Sequence, residues 1–260
     1  MSLVIDGDIG WSDFSHLDTS AITSFENMFK GYDDHSSTTS LNIGNWDVSN
    51  VTNMSGMFCG CTSLDRLDLE FWDVSNVTDF SYMFCSVPID NFIFTPEWNM
   101  SKATYISGMF YRCENLKTIS LGDWDVSNVT DMSEMFSGCT NLSNGEFDPN
   151  FGLEYWNTSS LTNLYGMFSN CSSINELNLS NFNTAKVVTF ANMFYGCTNL
   201  KELDISSFDT SSVDVDDYDG LSYMFYGCSS LKSLILGEGF GKMPDNVGSV
   251  DFSNLSEWTD

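Results

Sequence analysis

The dipeptide Met-Phe occurs eight times, at Met28, Met57, Met83, Met109, Met135, Met167, Met193 and Met224, with successive intervals of 29, 26, 26, 26, 32, 26 and 31 residues. A unit of that length cannot bury its apolar face alone, so the copies must stack into a solenoid whose core runs from one to the next. The constraint also bears on function, because stacked units offer an extended recognition surface and no single cleft.

The unit is clearest between Cys113 and Cys139. Leu116, Ile119 and Leu121 give an L-x-x-L-x-L pattern in which Ile119 and Leu121 point inward about an outward Ser120, as a short strand requires. Asp125 and Ser127, after Trp124, have side chains suited to holding a turn through nearby backbone groups. Thr130 then reads as a helix N-cap. Met132, Met135, Phe136 and Cys139 follow at the spacing of a short amphipathic helix, with Gly138 suited to a left-handed end. The expected fold is an α/β repeat solenoid: a right-handed, leucine-rich-repeat-like superhelix with one parallel strand ladder plus short helices. About eight coils at about 5 Å each give a length of about 40 Å.

The other columns repeat in the same register. Gly31, Gly60, Gly196 and Gly227 share the Gly138 position, with Asn170, Ser86 and Arg112 in the remaining copies. An aromatic precedes each turn (Trp46, Trp72, Trp98, Trp124, Trp156, Phe182, Phe208), and its register beside the turn favours a packed ladder over a sugar-stacking platform. An acid or amide follows it at Asp18, Asp47, Asp73, Asn99, Asp125, Asn157, Asn183 and Asp209. Longer intervals map to loops before Leu41, Trp156 and Leu221.

Cysteine spacing argues against a disulfide framework. Cys61, Cys113, Cys139, Cys171, Cys197 and Cys228 each lie four residues after a repeat Met, where a small side chain with a weak donor fits beside turn backbone. One Cys per coil supplies no C-x-x-C metal pair. Cys59 and Cys85 share a different column in adjacent coils, close enough for a disulfide or for two independent thiols, the latter being the default.

The units CTSLDRLDLEFWDVSNVTDFSYMF and CSSINELNLSNFNTAKVVTFANMF resemble the 26-residue repeat of bacterial surface proteins, including mycoplasma-type lipoproteins, and are similar to BspA-like leucine-rich repeats. The likeness runs roughly from Trp11 to Phe240 through the motifs W-D-V-S-N-V-T and M-F-x-G-C. It implies a surface-displayed adhesion or ligand-binding solenoid and carries over no catalytic residue. Val87 in place of the column cysteine, and Phe182 and Phe208 in place of Trp, depart from the pattern.

Thirty-six acids against nine Lys plus Arg give a formal charge of −27, which repels phosphate backbones and anionic lipid. Nucleic acid is therefore a poor candidate; the charge reads first as solubility of an elongated surface and second as attraction of basic partners or divalent cations. The middle residue of each L-x-L pair points away from the core, so the candidate ligand face is Asn42, Asp68, Ile93, Ser120, Glu146, Asn178, Asp204 and Ile235, facing a protein or glycan. A solvated face with no ligand is the competing reading. Asp214, Asp216, Asp217 and Asp219 are a weak calcium candidate, since Tyr218 and Phe225 break the loop pattern. Thr23, Thr52, Thr78, Thr104, Thr130 and Thr162 suggest helix capping in preference to an ice-binding array. Sequons such as Asn76-Val-Thr78 are by-products of the repeat.

His16 and His35 are the only histidines and both lie near the start, which leaves no Ser-His-Asp or Cys-His assembly along the array. The expectation is a non-enzyme without cofactors: a monomeric binding solenoid at a bacterial surface, with no membrane insertion of its own. The alternatives are a spacer displaying another adhesive domain and an intracellular interaction scaffold. One domain spans 1–260: 1–14 as an N-terminal cap or cut repeat, 15–236 as repeats, and 237–260 as a C-terminal cap or cut repeat. The Met1-Ser2-Leu3 start and the lack of an apolar leader read as a piece whose signal or anchor lies outside it.

Overall fold

The computed structural model describes residues 13–31, 40–64, 66–91, 98–144, 151–213 and 220–241. Ile93, Glu146, His35 and the acidic group Asp214–Asp219 lie outside these residues.

The L-x-L segments form short parallel strands, as their alternation requires. Strands β1 (Ser40–Leu41) and β2 (Arg66–Leu67) pair through Leu41↔Leu67. Strands β3 (Glu176–Asn178), β4 (Glu202–Ile205) and β5 (Ser233–Leu236) pair through Leu177↔Leu203↔Leu234. Single bridges Asp13↔Asn42 and Asn91↔Thr118 are also parallel. Like residues thus sit over like, one repeat apart.

The Met-Phe segments differ from the expected short helices. Among the described residues the one helical element is a 3-10 turn at Leu153–Tyr155. The residue before each Met is left-handed in every copy: Asn27, Gly56, Tyr82, Gly108, Glu134, Gly166, Asn192 and Tyr223 have φ between 54° and 62°. A left-handed residue in each segment stops helix propagation and swings alternate amides toward the neighbouring coil. Thus Gly108 N donates to Ser133 O (2.7 Å), Phe110 N to Met135 O (2.9 Å) and Arg112 N to Ser137 O (2.7 Å). The intervening amides close local turns, as Tyr111 N does on Gly108 O (2.9 Å). The result is a second parallel ladder, bridged without a break through Ser24, Asn53, Asp79, Tyr105, Asp131, Asn163 and Thr189.

The threonine column belongs to this ladder and caps no helix. Thr78, Thr130 and Thr162 donate their hydroxyls to the carbonyls of Thr52, Thr104 and Thr130 in the coil before (3.1, 3.3 and 2.9 Å).

Between the ladders lies one continuous apolar cluster reaching from Phe14 to Leu234. Its spine is the eight phenylalanines of the Met-Phe pairs. Phe29, Phe58, Phe84, Phe110, Phe136, Phe168, Phe194 and Phe225 stack in sequence with centroids 5.6–6.0 Å apart. The tryptophans from Trp46 to Trp156 pack beside them, fully or nearly fully buried, with Trp46 stacked on Trp72 at 6.4 Å. Trp46, Trp72, Trp98 and Trp156 donate their indole N–H to carbonyls one repeat earlier (3.0–3.2 Å).

The turn chemistry is as the sequence implies. Asp18, Asp47, Asp73, Asn99, Asp125, Asn157, Asn183 and Asp209 each accept the backbone N–H two residues on, at 2.8–3.2 Å. The six-cysteine column is buried, and each thiol donates to the carbonyl of the preceding coil's Phe, from Cys61 on Phe29 (3.0 Å) to Cys228 on Phe194 (3.1 Å). Burial pushes the Cys113, Cys139, Cys171, Cys197 and Cys228 thiols well up, which keeps them protonated and unreactive.

Because the spine passes through every coil, cutting it once in the middle carries the full cost of a large core deletion. Phe136→Ala is expected to lose about 3–5 kcal/mol in urea unfolding, whereas an exposed change such as Phe71→Ala stays within about 0.5 kcal/mol. Equal midpoints for the two variants would refute the spine.

Candidate functional site

Three of the strand-face candidates come together. Asn178, Asp204 and Ile235 are paired neighbours across β3, β4 and β5 and line a shallow groove with Glu176, Glu202 and Ser233. Ile235 is exposed there. The polar members already serve the fold, however. Asn178 Oδ1 accepts from Ser180 N (3.0 Å) and Ser180 Oγ (2.7 Å), and Asp204 Oδ1 accepts from Ser206 N (3.0 Å). Asp68 Oδ1 likewise accepts from Glu70 N (3.3 Å), and Asn42 Nδ2 donates to Asp13 Oδ1 (3.0 Å) in the adjacent coil. Ser120 is exposed on the same column. The strand face is therefore acidic and largely occupied in holding its own turns.

The opposite ladder presents a different chemistry that the repeat pattern had concealed. Its outward positions carry Tyr82, Tyr111, Tyr195, Tyr223 and Tyr226 beside an inward Met or Phe, and Tyr105 and Tyr165 beside the inward Ile106 and Leu164. Tyr105, Tyr165, Tyr223 and Tyr226 are 40–52 % exposed. Tyr195 stacks on Tyr226 (5.3 Å), and Tyr223 meets Tyr226 edge-on (5.8 Å). The signal was in the sequence as Y-M-F-C, Y-G-M-F and Y-M-F-Y-G-C, where tyrosine brackets the repeat Met-Phe.

Carboxylates are interleaved with these rings. Tyr105 bridges to Asp79 on one side and Asp131 on the other, so an exposed aromatic stands between two acids in three successive coils. Tyr82 crosses a whole coil to donate its hydroxyl to Glu134 Oε2 (2.7 Å). That reach requires Gly108 in the coil between, since a Cβ there would overlap the Tyr82 ring. Burial first, and then the hydrogen bond and charge of Glu134, push the Tyr82 phenol well above its ordinary range. The arrangement offers flat apolar faces beside fixed negative charge, which suits a cationic side chain more than a neutral or anionic group.

Among the described residues no group of three or more His, Cys, Asp or Glu is placed to hold a metal ion, and no helix is long and apolar enough to cross a membrane.

Over three overlapping stretches, residues 6–95, 89–149 and 140–237, the sequence matches the family model described as "Mycoplasma protein of unknown function, DUF285". No curated protein matches it. Among solved structures it is similar to a leucine rich cell surface protein from Faecalibacterium prausnitzii A2-165, at 16% identity and a TM-score of 0.30 over 72% of this chain. The chain spans only 57% of that protein's length. It is also similar to a leucine-rich repeat protein from Bacteroides ovatus ATCC 8483 (16% identity, TM-score 0.31, 90% of this chain and 68% of that one). A third, from Eubacterium ventriosum ATCC 27560, shares 18% identity at a TM-score of 0.29, over 84% of this chain and 71% of that one.

The Tyr82–Glu134 bond has a titration signature. A phenol whose folded pKa is raised contributes stability that is complete below its unfolded value of about 10 and lost as pH rises through the folded one. In NMR of ring-labelled tyrosine, Tyr82 is expected to ionise above the ordinary phenol range. Glu134→Asn, which keeps a residue tolerant of the left-handed turn but cannot reach the phenol, should lower its midpoint. A Tyr82 that titrates in the ordinary phenol range, with a midpoint unmoved by Glu134→Asn, would contradict the bond.

Proposed function

Because the chain belongs to the DUF285 family of mycoplasma-type, BspA-like leucine-rich repeats, we propose that it is a non-enzymatic binding solenoid displayed at a bacterial cell surface. In this reading about eight right-handed coils present the tyrosine ladder to a protein partner, and the bound segment of that partner is rich in Lys and Arg.

The observation that carries the reading is Tyr105 held between Asp79 and Asp131 on an exposed face. Tyrosine supplies a large contact area at low entropy cost, and a desolvated cation over its ring gains about 1–2 kcal/mol. The −27 charge of the chain adds long-range steering of a basic partner and weakens as salt rises. Protein is preferred to glycan because the carboxylates on both sides of Tyr105 favour a cationic side chain over a neutral sugar at the same ring. Asp79 and Asp131 hold their own turns just as the strand-face acids do, each accepting from the N–H two residues on (2.9 and 2.8 Å), so the preference for this face over the groove around Ile235 rests on its exposed tyrosines.

The test uses the purified chain against immobilised Lys/Arg-rich peptides, acidic peptides of equal length and a glycan panel. Basic peptides should be retained, with affinity falling about tenfold or more in Tyr105→Ala and in Asp79→Asn/Asp131→Asn, and falling with added salt. Retention of glycans alone would favour the glycan reading. Retention of nothing would favour a spacer that displays another domain.

A further inference from the structure

We infer that Cys59 and Cys85 form a surface dithiol that closes into a disulfide between two adjacent coils when it meets a disulfide oxidant. The inference rests on the ladder register and is independent of the binding role proposed above.

Register places the two residues together. Phe58 N donates to Met83 O (2.9 Å) and Gly60 N to Cys85 O (2.7 Å), so Cys59 and Cys85 occupy one position in successive coils. Neighbouring parallel segments lie about 5 Å apart, inside the alpha-carbon range of about 4.4–6.8 Å that a disulfide spans. The preceding residues, Phe58 and Phe84, stack at 5.8 Å with planes only 6° apart, which holds the two backbones in parallel and aims both thiols at the same face. The two thiols are near enough for each to perturb the protonation of the other.

The pair also differs from every other cysteine. The other six are buried donors to a Phe carbonyl, while Cys59 is partly exposed and Cys85 lies at the edge of burial. Packing does not demand sulfur here, because Ser137 and Ser169 fill the same column and are buried in it. Lys30 and Arg112, two of only nine basic residues in the chain, occupy the coils on either side. The neighbouring Cys59 thiol, then Ser86 and these two cations, draw the Cys85 thiol down against the opposing effect of burial, while Cys85 and burial push Cys59 up. The same surroundings favour the Cys85 thiolate, which is the nucleophile in exchange.

The step balances as follows. Cys85 Sγ attacks one sulfur of a small or protein disulfide, forming a mixed disulfide and expelling the other half as a thiol. Cys59 Sγ then loses its proton to solvent, attacks the Cys85 sulfur and expels the second half. Two protein thiols are oxidised, and one external disulfide is reduced to two thiols.

The experiment treats the reduced, folded chain with oxidised glutathione, blocks remaining thiols after denaturation and maps peptides by mass spectrometry. A loss of two hydrogens is expected, with fragment spectra placing the link on Cys59, not Cys61, and on Cys85. The six column cysteines should be found blocked. Cys59→Ser should instead retain one glutathione on Cys85, and the oxidised wild type should unfold at a higher temperature than the reduced chain. Eight blocked thiols, a stable glutathione adduct on wild type, or links through other cysteines would each overturn the inference. Comparing circular dichroism of Cys59→Ser and wild type confirms that the variant is folded.

Discussion

The structure depends on hydrogen bonds that leave one coil for the next. Each repeat is too short to satisfy its own backbone, and a buried unpaired N–H or C=O costs as much as several favourable contacts gain. The left-handed residue before each repeat Met solves this by turning alternate amides outward along the solenoid axis. Tyr82, Glu134 and Tyr223 adopt that conformation despite an intrinsic penalty of about 1–2 kcal/mol each. They do so because the bonds formed on both sides of them are shared with neighbouring coils, and abandoning one would orphan groups in three repeats.

Aromatic stacking follows from that register. With amides joining like positions, each Phe of a Met-Phe pair has to lie over the next, and the spacing of about 5 Å per coil matches offset ring stacking. The cysteine and tryptophan columns complete the scheme. Each places a weak or single donor against a carbonyl that the ladders leave available, as Cys139 does on Phe110 O (3.1 Å) and Trp72 on Ile43 O (3.2 Å). Core packing and backbone satisfaction are thus one problem with one solution, repeated.

Much of this was legible in the sequence. Columns of Asp or Asn after the aromatic, of Cys after Met-Phe and of Leu in the strands carry their chemistry in residue type and spacing, and each has the partners its type implies. The expected short helices are absent because Met132, Met135, Phe136 and Cys139 have the spacing of a helical stripe, which a chain with left-handed residues four apart, at Glu134 and Gly138, reproduces. The deciding signal was the column before Met, where Asn27, Gly56, Gly108, Gly166 and Asn192 are the residues that tolerate positive φ. The tyrosine face was hidden for a related reason: aromatics counted toward a core, and only the turn geometry puts Tyr105 and Tyr223 outside it. Asn178, Asp204 and Ile235 lie off the core side of their strands as the L-x-L alternation implies, but the use of the Asn178 and Asp204 oxygens in their own turns depends on side-chain rotamers that no pattern encodes.

The most direct measurement is through-hydrogen-bond NMR coupling in the deuterated, doubly labelled chain, focused on the segment from Thr104 to Cys113. Cross-peaks linking Gly108 N to the Ser133 carbonyl and Phe110 N to the Met135 carbonyl are the predicted result. Couplings that instead join Phe110 N to Ile106 and Tyr111 N to Ser107, four residues back in the same coil, would mean a helix and would contradict the account.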